Sequence, residues 1–313
     1  MREVVVTTGS RLHFGLFAVN PELRRQFAGI GMMVDSPSVR LRAQLSESVE
    51  VTGPNTTIAR ARTFAARFAE SCNVNVPVSI NIEEAIPLHE GLGSGTQLAL
   101  AIGTALARLH GIEYSTREIA AATGRAKRST IGVFGFDHGG FIVDGGQTAA
   151  QSLDASLARH EMPPEWRIVL VTPDDATGLC GDAEKEAFAR LPPMSGELST
   201  QLDRLIANNI VPSLQDKHFD RFAMSLHEFG QLIGGYFAPA QGQVFCSAEA
   251  MDICDRLMSD GFKAVVQSSW GPTVAVMARN ADEANAVVSL VGTTRSEIVA
   301  PMNHGAVVEP SLS

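Results

Sequence analysis

The residues in this chain best suited to chemistry lie in one run: Pro87-Leu88-His89-Glu90-Gly91-Leu92-Gly93-Ser94-Gly95-Thr96-Gln97. It leads into an Ala/Leu-rich stretch ending at Gly111, where Leu98, Ile102, Ala105, Leu106 and Leu109 recur at spacings of three and four. That spacing predicts a helix with one apolar face, stopped by Gly111. Glycines before a helix let backbone approach a ligand, and Ser94 or Thr96 can cap the first turn. Free amides at a helix start, backed by the macrodipole, bind anions such as phosphate. The plain alternative is a turn and nothing more. Neither Walker A nor the dinucleotide fingerprint fits, because no Lys follows the loop and the glycines read G-x-G-x-G.

Other candidate groups are scattered. Arg11 and His13 alternate with Leu12 and Phe14, which puts both polar side chains on one face of a strand. Arg125, Lys127 and Arg128 precede the glycine-dense run Gly132 to Gly146, a cation cluster able to neutralise a polyanion or simply a solvated helix end. Asp144 sits at the end of that run, and Gln241, Trp270 and His304 fall in later motifs.

These groups must be positioned by regular elements. Val4 to Val6 predicts a first strand, with Thr7 to Phe17 a turn into a second; Val39 to Ala43 and Val49 to Val51 continue a meander. Ile58 to Cys72 predicts a helix, Val78 to Ile82 a strand, and Ser115-Thr116-Arg117-Glu118 a capping box that opens a short helix ending near Gly124. Strands followed by helices suggest an α+β domain. Pro163-Pro164 marks a boundary, giving domains 1–162 and 163–313. Beyond it come a strand at Ile168 to Val171 and helices at Gly178 to Leu191, Leu198 to Asn208 and Phe219 to Gly234. An irregular Gly234 to Gly242 follows, then a helix at Ala248 to Ser259 and strands at Lys263 to Gln267 and Thr273 to Met277. The chain closes with a helix at Ala281 to Leu290 and a strand at Glu297 to Val308 carrying Asn303 and His304. Helix, hairpin, helix, strand is the trace of a ferredoxin-like sandwich.

The 313 residues suffice for two ordinary domains, and 45% hydrophobic with 19% charged residues excludes disorder as the main state. A net charge of -9 argues against nucleic acid as a partner, so an anionic substrate must meet a local cluster of Arg, Lys and amides. Cys72, Cys180, Cys246 and Cys254 show no C-x-x-C pairing, which fits reduced thiols and a cytoplasmic location. Glu3 and the short Val4-Val5-Val6 run do not fit a signal peptide, and no segment has the apolar length to span a membrane.

Pro-x-x-x-Gly-Leu-Gly-Ser-Gly followed by an apolar helix resembles the phosphate loop of the GHMP superfamily. Four further stretches resemble its β-ribofuranosylaminobenzene 5'-phosphate synthases: residues 10–16, Ile131-Gly132-Val133 with 139–146, Tyr236 to Gly242, and Ser268-Ser269-Trp270-Gly271-Pro272-Thr273. The resemblance implies a GHMP-kinase-like two-domain α+β fold, its N-terminal domain like ribosomal protein S5 domain 2 and its C-terminal domain ferredoxin-like, with substrate between them. It implies a transferase that joins 5-phosphoribosyl 1-diphosphate to 4-aminobenzoate or a close analogue, releasing carbon dioxide and diphosphate, early in methanopterin-type cofactor synthesis. The expected partners are these small molecules, with Mg2+ as cofactor and a homodimer as the assembly. On that reading Gly91, Leu92, Gly93, Ser94, Gly95, Thr96 and Arg128 bind phosphate, and Arg11, His13, Lys127 and Asp144 serve the reaction. Gln241, Trp270 and His304 bind substrate, and Ser94 and Thr96 face metal. Two departures set the chain apart from the kinases. Where the mevalonate-kinase branch has Ser-Gly-Ile-Asp, this chain has Ser129-Thr130-Ile131-Gly132, and glycine cannot act as a base. Gly95 also replaces the second serine of the kinase loop. An ATP-dependent GHMP small-molecule kinase is the alternative.

Overall fold

Polar residues that read as a turn turn out to be buried members of a strand. In the computed structural model, which describes residues 3–20, 22–23, 25–73, 77–125, 128–147, 157–173 and 181–311, β1 runs unbroken over Glu3–Phe17. It pairs antiparallel with β2 (Ala28–Leu45), and the register slips between Thr8 and Ser10. Thr7 to Ser10 is thus a bulge and not a turn: a Cβ at Gly9 would lie 1.9 Å from the Val34 carbonyl oxygen. Thr8 and Ser10 are fully buried because each hydroxyl has an acceptor, Gln97 Oε1 at 2.8 Å and the Pro37 carbonyl at 2.6 Å.

The next elements are β3 (Glu50–Thr52), α1 (Asn55–Cys72) and β4 (Val78–Glu84). β3 pairs parallel with β4, so the predicted meander is a crossover through α1. Then come α2 (Ser94–His110), α3 (Thr116–Ala122) with its capping box on Ser115 and Glu118, α4 (Ile131–His138), β5 (Phe141–Asp144) and β6 (Leu157–His160). α4 occupies what reads as a glycine-dense loop. Its glycines serve packing: a Cβ at Gly135 would lie 2.6 Å from Met33 Sδ.

The second half begins with β7 (Arg167–Thr172), α5 (Gly181–Arg190) and α6 (Gly196–Leu205), which continues as a π-helical turn at Ile206–Ile210 into α7 (Val211–Gln215). α8 (Phe219–Gln241) runs through Gly234, Gly235 and Pro239 to a C-cap at Gly242, so the stretch read as irregular is mostly helix. α9 (Ala248–Ser259), β8 (Val265–Gln267), β9 (Val274–Ala278) and α10 (Ala281–Val291) follow as predicted. The single strand expected at the end divides into β10 (Arg295–Val299) and β11 (Val307–Ser311).

Two sheets result. The first has the order β11-β1-β2-β4-β3, with β5 on β2 and β6 on β5. The second is β10-β7-β9-β8, antiparallel throughout, which with α9 and α10 is the ferredoxin-like arrangement. β11 crosses back over the 162/163 division to pair with β1. Alternation along β7 divides the interior: Ile168 and Leu170 join the large core shared with β1, α2 and α8, whereas Val169 and Val171 face α9 and α10. α8 touches both β1 and β8, so the two halves meet along one helix.

α2 is tied to its neighbours by one buried amide. Gln97 accepts from Thr8 Oγ1 and donates through Nε2 to the Gly132 carbonyl at 2.9 Å. Replacement Gln97→Leu strands two buried groups, each costing about 1 to 3 kcal/mol. Urea unfolding is expected to show a loss of about 2 to 6 kcal/mol, and an unchanged midpoint would contradict the tie.

His13, only 4% exposed, accepts from the Gly15 amide through Nδ1 at 3.2 Å. Burial, then the Arg11 charge, lowers its pKa well below the ordinary 6.5. The unfolded chain therefore binds the proton first as pH falls, so stability held above pH 6.5 is lost below it, at up to about 1.4 kcal/mol per pH unit for this group. His13→Gln is expected to flatten the slope of unfolding free energy between pH 6.5 and 5; an equally steep slope would place the titrating group elsewhere.

Candidate active site

The phosphate loop owes its shape to glycines in the left-handed region, Gly91 at φ 80° and Gly93 at φ 78°. Gly93 itself is the N-cap of α2; neither Ser94 nor Thr96 caps the turn, which corrects the expectation from sequence. The Thr96 and Gln97 amides turn back to the Gly93 carbonyl at 3.0 and 3.1 Å, while the Ser94 and Gly95 amides, as first-turn donors, have no intrahelical acceptor.

The loop is gripped from two sides. β1 holds it by Arg11, whose amide donates to the Leu92 carbonyl at 3.0 Å and whose Nη1 lies 3.4 Å from the Gly91 carbonyl. The turn between β8 and β9 holds it by Ser268, whose buried hydroxyl donates to the Gly91 carbonyl at 2.9 Å and accepts from the His13 amide at 3.2 Å. Contact there is too close for side chains: a Cβ at Gly91 would lie 2.2 Å from the Ser268 carbonyl oxygen, and one at Gly271 would lie 2.3 Å from the Gly91 nitrogen. Arg295 on β10 adds an ion pair to Glu90 at 2.5 Å.

A cleft of about 770 Å³ opens above this loop. Arg11, Arg60, Arg67, Arg125 and Arg128 line it, and no Asp or Glu does so among the described residues. Arg125 reaches Thr96 Oγ1 with Nε at 3.4 Å and Nη2 at 3.3 Å, and Arg67 Nη1 donates to the Thr123 carbonyl at 3.3 Å. The other end is apolar, built from Phe188, Phe237 and Trp270 with ring centroids 4.9 to 5.6 Å apart in edge-to-face contacts. Arg128 joins the two ends, its guanidinium carbon 4.4 Å from the Phe188 ring centre.

The structure brings Arg11, His13, Arg128, Gln241, Trp270 and residues 91–96 to this one cleft. Lys127 lies outside the described residues. Asp144 and His304 do not line it. Asp144 is buried and serves the fold: Oδ2 accepts from the Thr130 amide at 3.1 Å and the Thr130 hydroxyl, and Oδ1 from the Gly146 amide at 2.9 Å. Its reading as a reacting or metal-binding group is therefore corrected; it fastens the start of α4. His304, exposed in the link from β10 to β11, faces the Gly305 carbonyl at 2.8 Å, and the strand expected to carry it is interrupted there.

Nor do the lining residues suit a protein-held Mg2+, which favours carboxylates and water at octahedral positions. Thr96 Oγ1 faces a guanidinium, and a Cβ at Gly95, where the kinase loop has its second serine, would lie 3.1 Å from Arg125 Nη2. Among the described residues no group of three His, Cys, Asp or Glu could hold a metal. Ser94 and Thr96 thus lie among amides and a guanidinium, a donor set that suits an anion better than a metal. Arg60 and Arg67 escaped the sequence reading. Their seven-residue spacing places both on one face of α1, but nothing in the sequence says that face meets the loop.

Comparison with known proteins agrees with this geometry. The family of GHMP kinases N terminal domains matches residues 57–145, a span that includes the loop. The chain is 32% identical to the β-ribofuranosylphenol 5'-phosphate synthase of Archaeoglobus fulgidus, over 74% of this chain and 80% of that one. It is 28% identical to the enzyme of the same name from Methanothermobacter thermautotrophicus, over 97% and 98%. In fold it resembles mevalonate diphosphate decarboxylase from Enterococcus faecalis (TM-score 0.69, 10% identity, 99% of both chains) and mevalonate-3-kinase from Thermoplasma acidophilum (TM-score 0.68, 14% identity, 99% of both chains). With its loop, its ferredoxin-like half and these relatives in agreement, the chain belongs to the β-ribofuranosylphenol 5'-phosphate synthase family of the GHMP superfamily.

Proposed function

We propose that the protein transfers phosphoribose from 5-phosphoribosyl 1-diphosphate to a para-substituted benzoate, with release of carbon dioxide and diphosphate, in methanopterin-type cofactor synthesis in the cytoplasm. The observation that carries this reading is the division of the cleft: a glycine loop with Arg11 and Arg125 at one end, three aromatic rings with Arg128 stacked on one of them at the other, Arg60 and Arg67 also in the lining, and no carboxylate among the described lining residues. A donor with two separate phosphate groups needs cations in two places. The loop amides with Arg11 and Arg125 suit the diphosphate, and Arg60 with Arg67 suit the 5'-phosphate. The names of the relatives specify a phenol product, so 4-hydroxybenzoate stands beside 4-aminobenzoate as acceptor.

The bond changes follow. The ring carbon bearing the carboxylate bonds to C1 of the sugar, and the C1 to oxygen bond breaks with its electron pair leaving on diphosphate. The bond from ring to carboxylate then breaks, its pair returns to the ring, and carbon dioxide departs. Because the leaving electrophile is carbon dioxide and not a proton, the ring carbon needs no base, in keeping with a cleft that no Asp or Glu lines among the described residues. Charge grows on diphosphate as it leaves, and preorganised donors aimed at such charge are worth about 3 to 4 kcal/mol each in other enzymes. A Mg2+ ion bound by the diphosphate would supply further neutralisation, held by substrate rather than by this chain. The kinase alternative has less support. Position 132 offers no side chain, and a Cβ there would lie 3.3 Å from Thr96 Cγ2 and 3.8 Å from Arg11 Nε.

The direct test follows carbon dioxide from carboxyl-labelled 4-hydroxybenzoate or 4-aminobenzoate in the presence of the ribosyl donor. Stoichiometric carbon dioxide and diphosphate are expected; ATP consumption dependent on an added alcohol would overturn the proposal. Gly93→Val, which adds bulk beside Arg11 at a left-handed residue, is expected to raise KM for the donor at least tenfold. Arg60→Glu is expected to raise donor KM by a similar factor while KM for the aromatic acid changes less than threefold. A reversed pattern would put the aromatic acid, not the 5'-phosphate, against α1.

A further inference from the structure

Ser129 lines the cleft between Arg128, stacked on Phe188, and Thr130, which Asp144 fastens. Its Oγ lies 3.0 Å from His13 Nε2 and 3.3 Å from the Ile131 nitrogen. A third contact decides where the hydrogens are. The Gly15 amide points at His13 Nδ1, and since a backbone amide can only donate, Nδ1 carries no hydrogen. The neutral imidazole then carries its hydrogen on Nε2 and donates it to Ser129 Oγ. Ile131 supplies the second donor. A hydroxyl oxygen has two lone pairs, and both are now engaged. What remains is the hydroxyl hydrogen, for which no described residue provides an acceptor.

From this accounting we infer that Ser129 is a one-way hydrogen-bond donor into the cleft, seating the carboxylate of the aromatic acid, with His13 the positioning residue that holds it so. The inference rests on the reaction proposed above. Location favours the carboxylate over a phosphate. The Ser269 amide donates to the His13 carbonyl at 2.7 Å, so Ser129 stands across His13 from the turn bearing Trp270, and Arg128 beside it lies on the aromatic end. The chemistry agrees: a carboxylate that must shed its charge as carbon dioxide is released more readily from a neutral hydroxyl than from an ion pair. The seat has two consequences for selectivity. It favours an ionised carboxylate over a group that can only donate, and it depends on His13 without requiring His13 to touch substrate.

Steady-state kinetics of Ser129→Ala, Ser129→Thr and His13→Leu, each checked for folding by circular dichroism, test this. Ser129→Ala is expected to raise KM for the aromatic acid at least tenfold and leave donor KM within twofold. Ser129→Thr, which keeps the hydroxyl, is expected to restore most of the loss, and His13→Leu to raise the same KM as Ser129→Ala. A rise in donor KM instead, or no change in either, overturns the inference. Calorimetric binding of benzoate separates this from the reaction itself. Benzoate that binds wild type but not Ser129→Ala supports the seat even if no carbon dioxide is released, whereas turnover by wild type with equal benzoate binding in both proteins refutes the seat and leaves the reaction standing.

Discussion

The structure depends on backbone meeting backbone too closely for a Cβ at Gly91 or Gly271. Residues 90–91 and the turn at 268–271 approach so closely that a Cβ at Gly91 or at Gly271 would overlap the other chain segment. Between them the Ser268 hydroxyl takes the His13 amide and gives to the Gly91 carbonyl, so β1, the loop and the second sheet share one buried oxygen. A loop held this way presents its amides to a ligand without having to order them on binding, which is where preorganised sites gain over flexible ones. The glycines thus serve two purposes: they leave the loop amides open to the cleft and admit the turn below.

Electrostatics explain why such a site can exist in a chain of net charge -9. Acidic side chains near the cleft are spent on structure or pointed away, Glu90 on Arg295 and Asp144 on Thr130 and Gly146. The five arginines of the lining therefore act in a concave space where their field is focused on whatever anion enters. The aromatic end has the opposite character and offers flat apolar faces to a ring. Phosphate at one end and an arene at the other is what a phosphoribosyl transfer to a benzoate requires, and the join between them falls near Arg128 and Ser129.

Much of this was legible in the sequence because local chemistry and tertiary packing agree there. The glycine turn ahead of α2, the capping box at Ser115, the helix stop at Gly111 and the ferredoxin-like trace all rest on turn and cap residues whose roles are local. What was not legible rests on distant partners. Thr8 and Ser10 read as turn formers until Gln97 and Pro37 satisfy them inside a strand. α4 is hidden by Gly132, which packs toward Thr96, and Gly135, which packs on Met33, and the break after β10 is set by pairing of β11 with a strand almost the whole chain away. Arg60 and Arg67 look like surface residues of an amphipathic helix, since only the fold turns their face toward the loop. Asp144 was misjudged for the reverse reason: an acid beside a glycine run suggests a ligand, yet its donors are amides that the run itself supplies.

The central claim is that main-chain nitrogens around residues 91–96 hold a departing diphosphate while the aromatic acid lies against Phe188, Phe237 and Trp270. A crystal structure with diphosphate and 4-hydroxybenzoate bound tests it most directly. The account predicts diphosphate oxygens on the Ser94 and Gly95 amides and the ring among those three side chains. A nucleoside triphosphate ordered in the cleft, its terminal phosphate facing an alcohol, would contradict it.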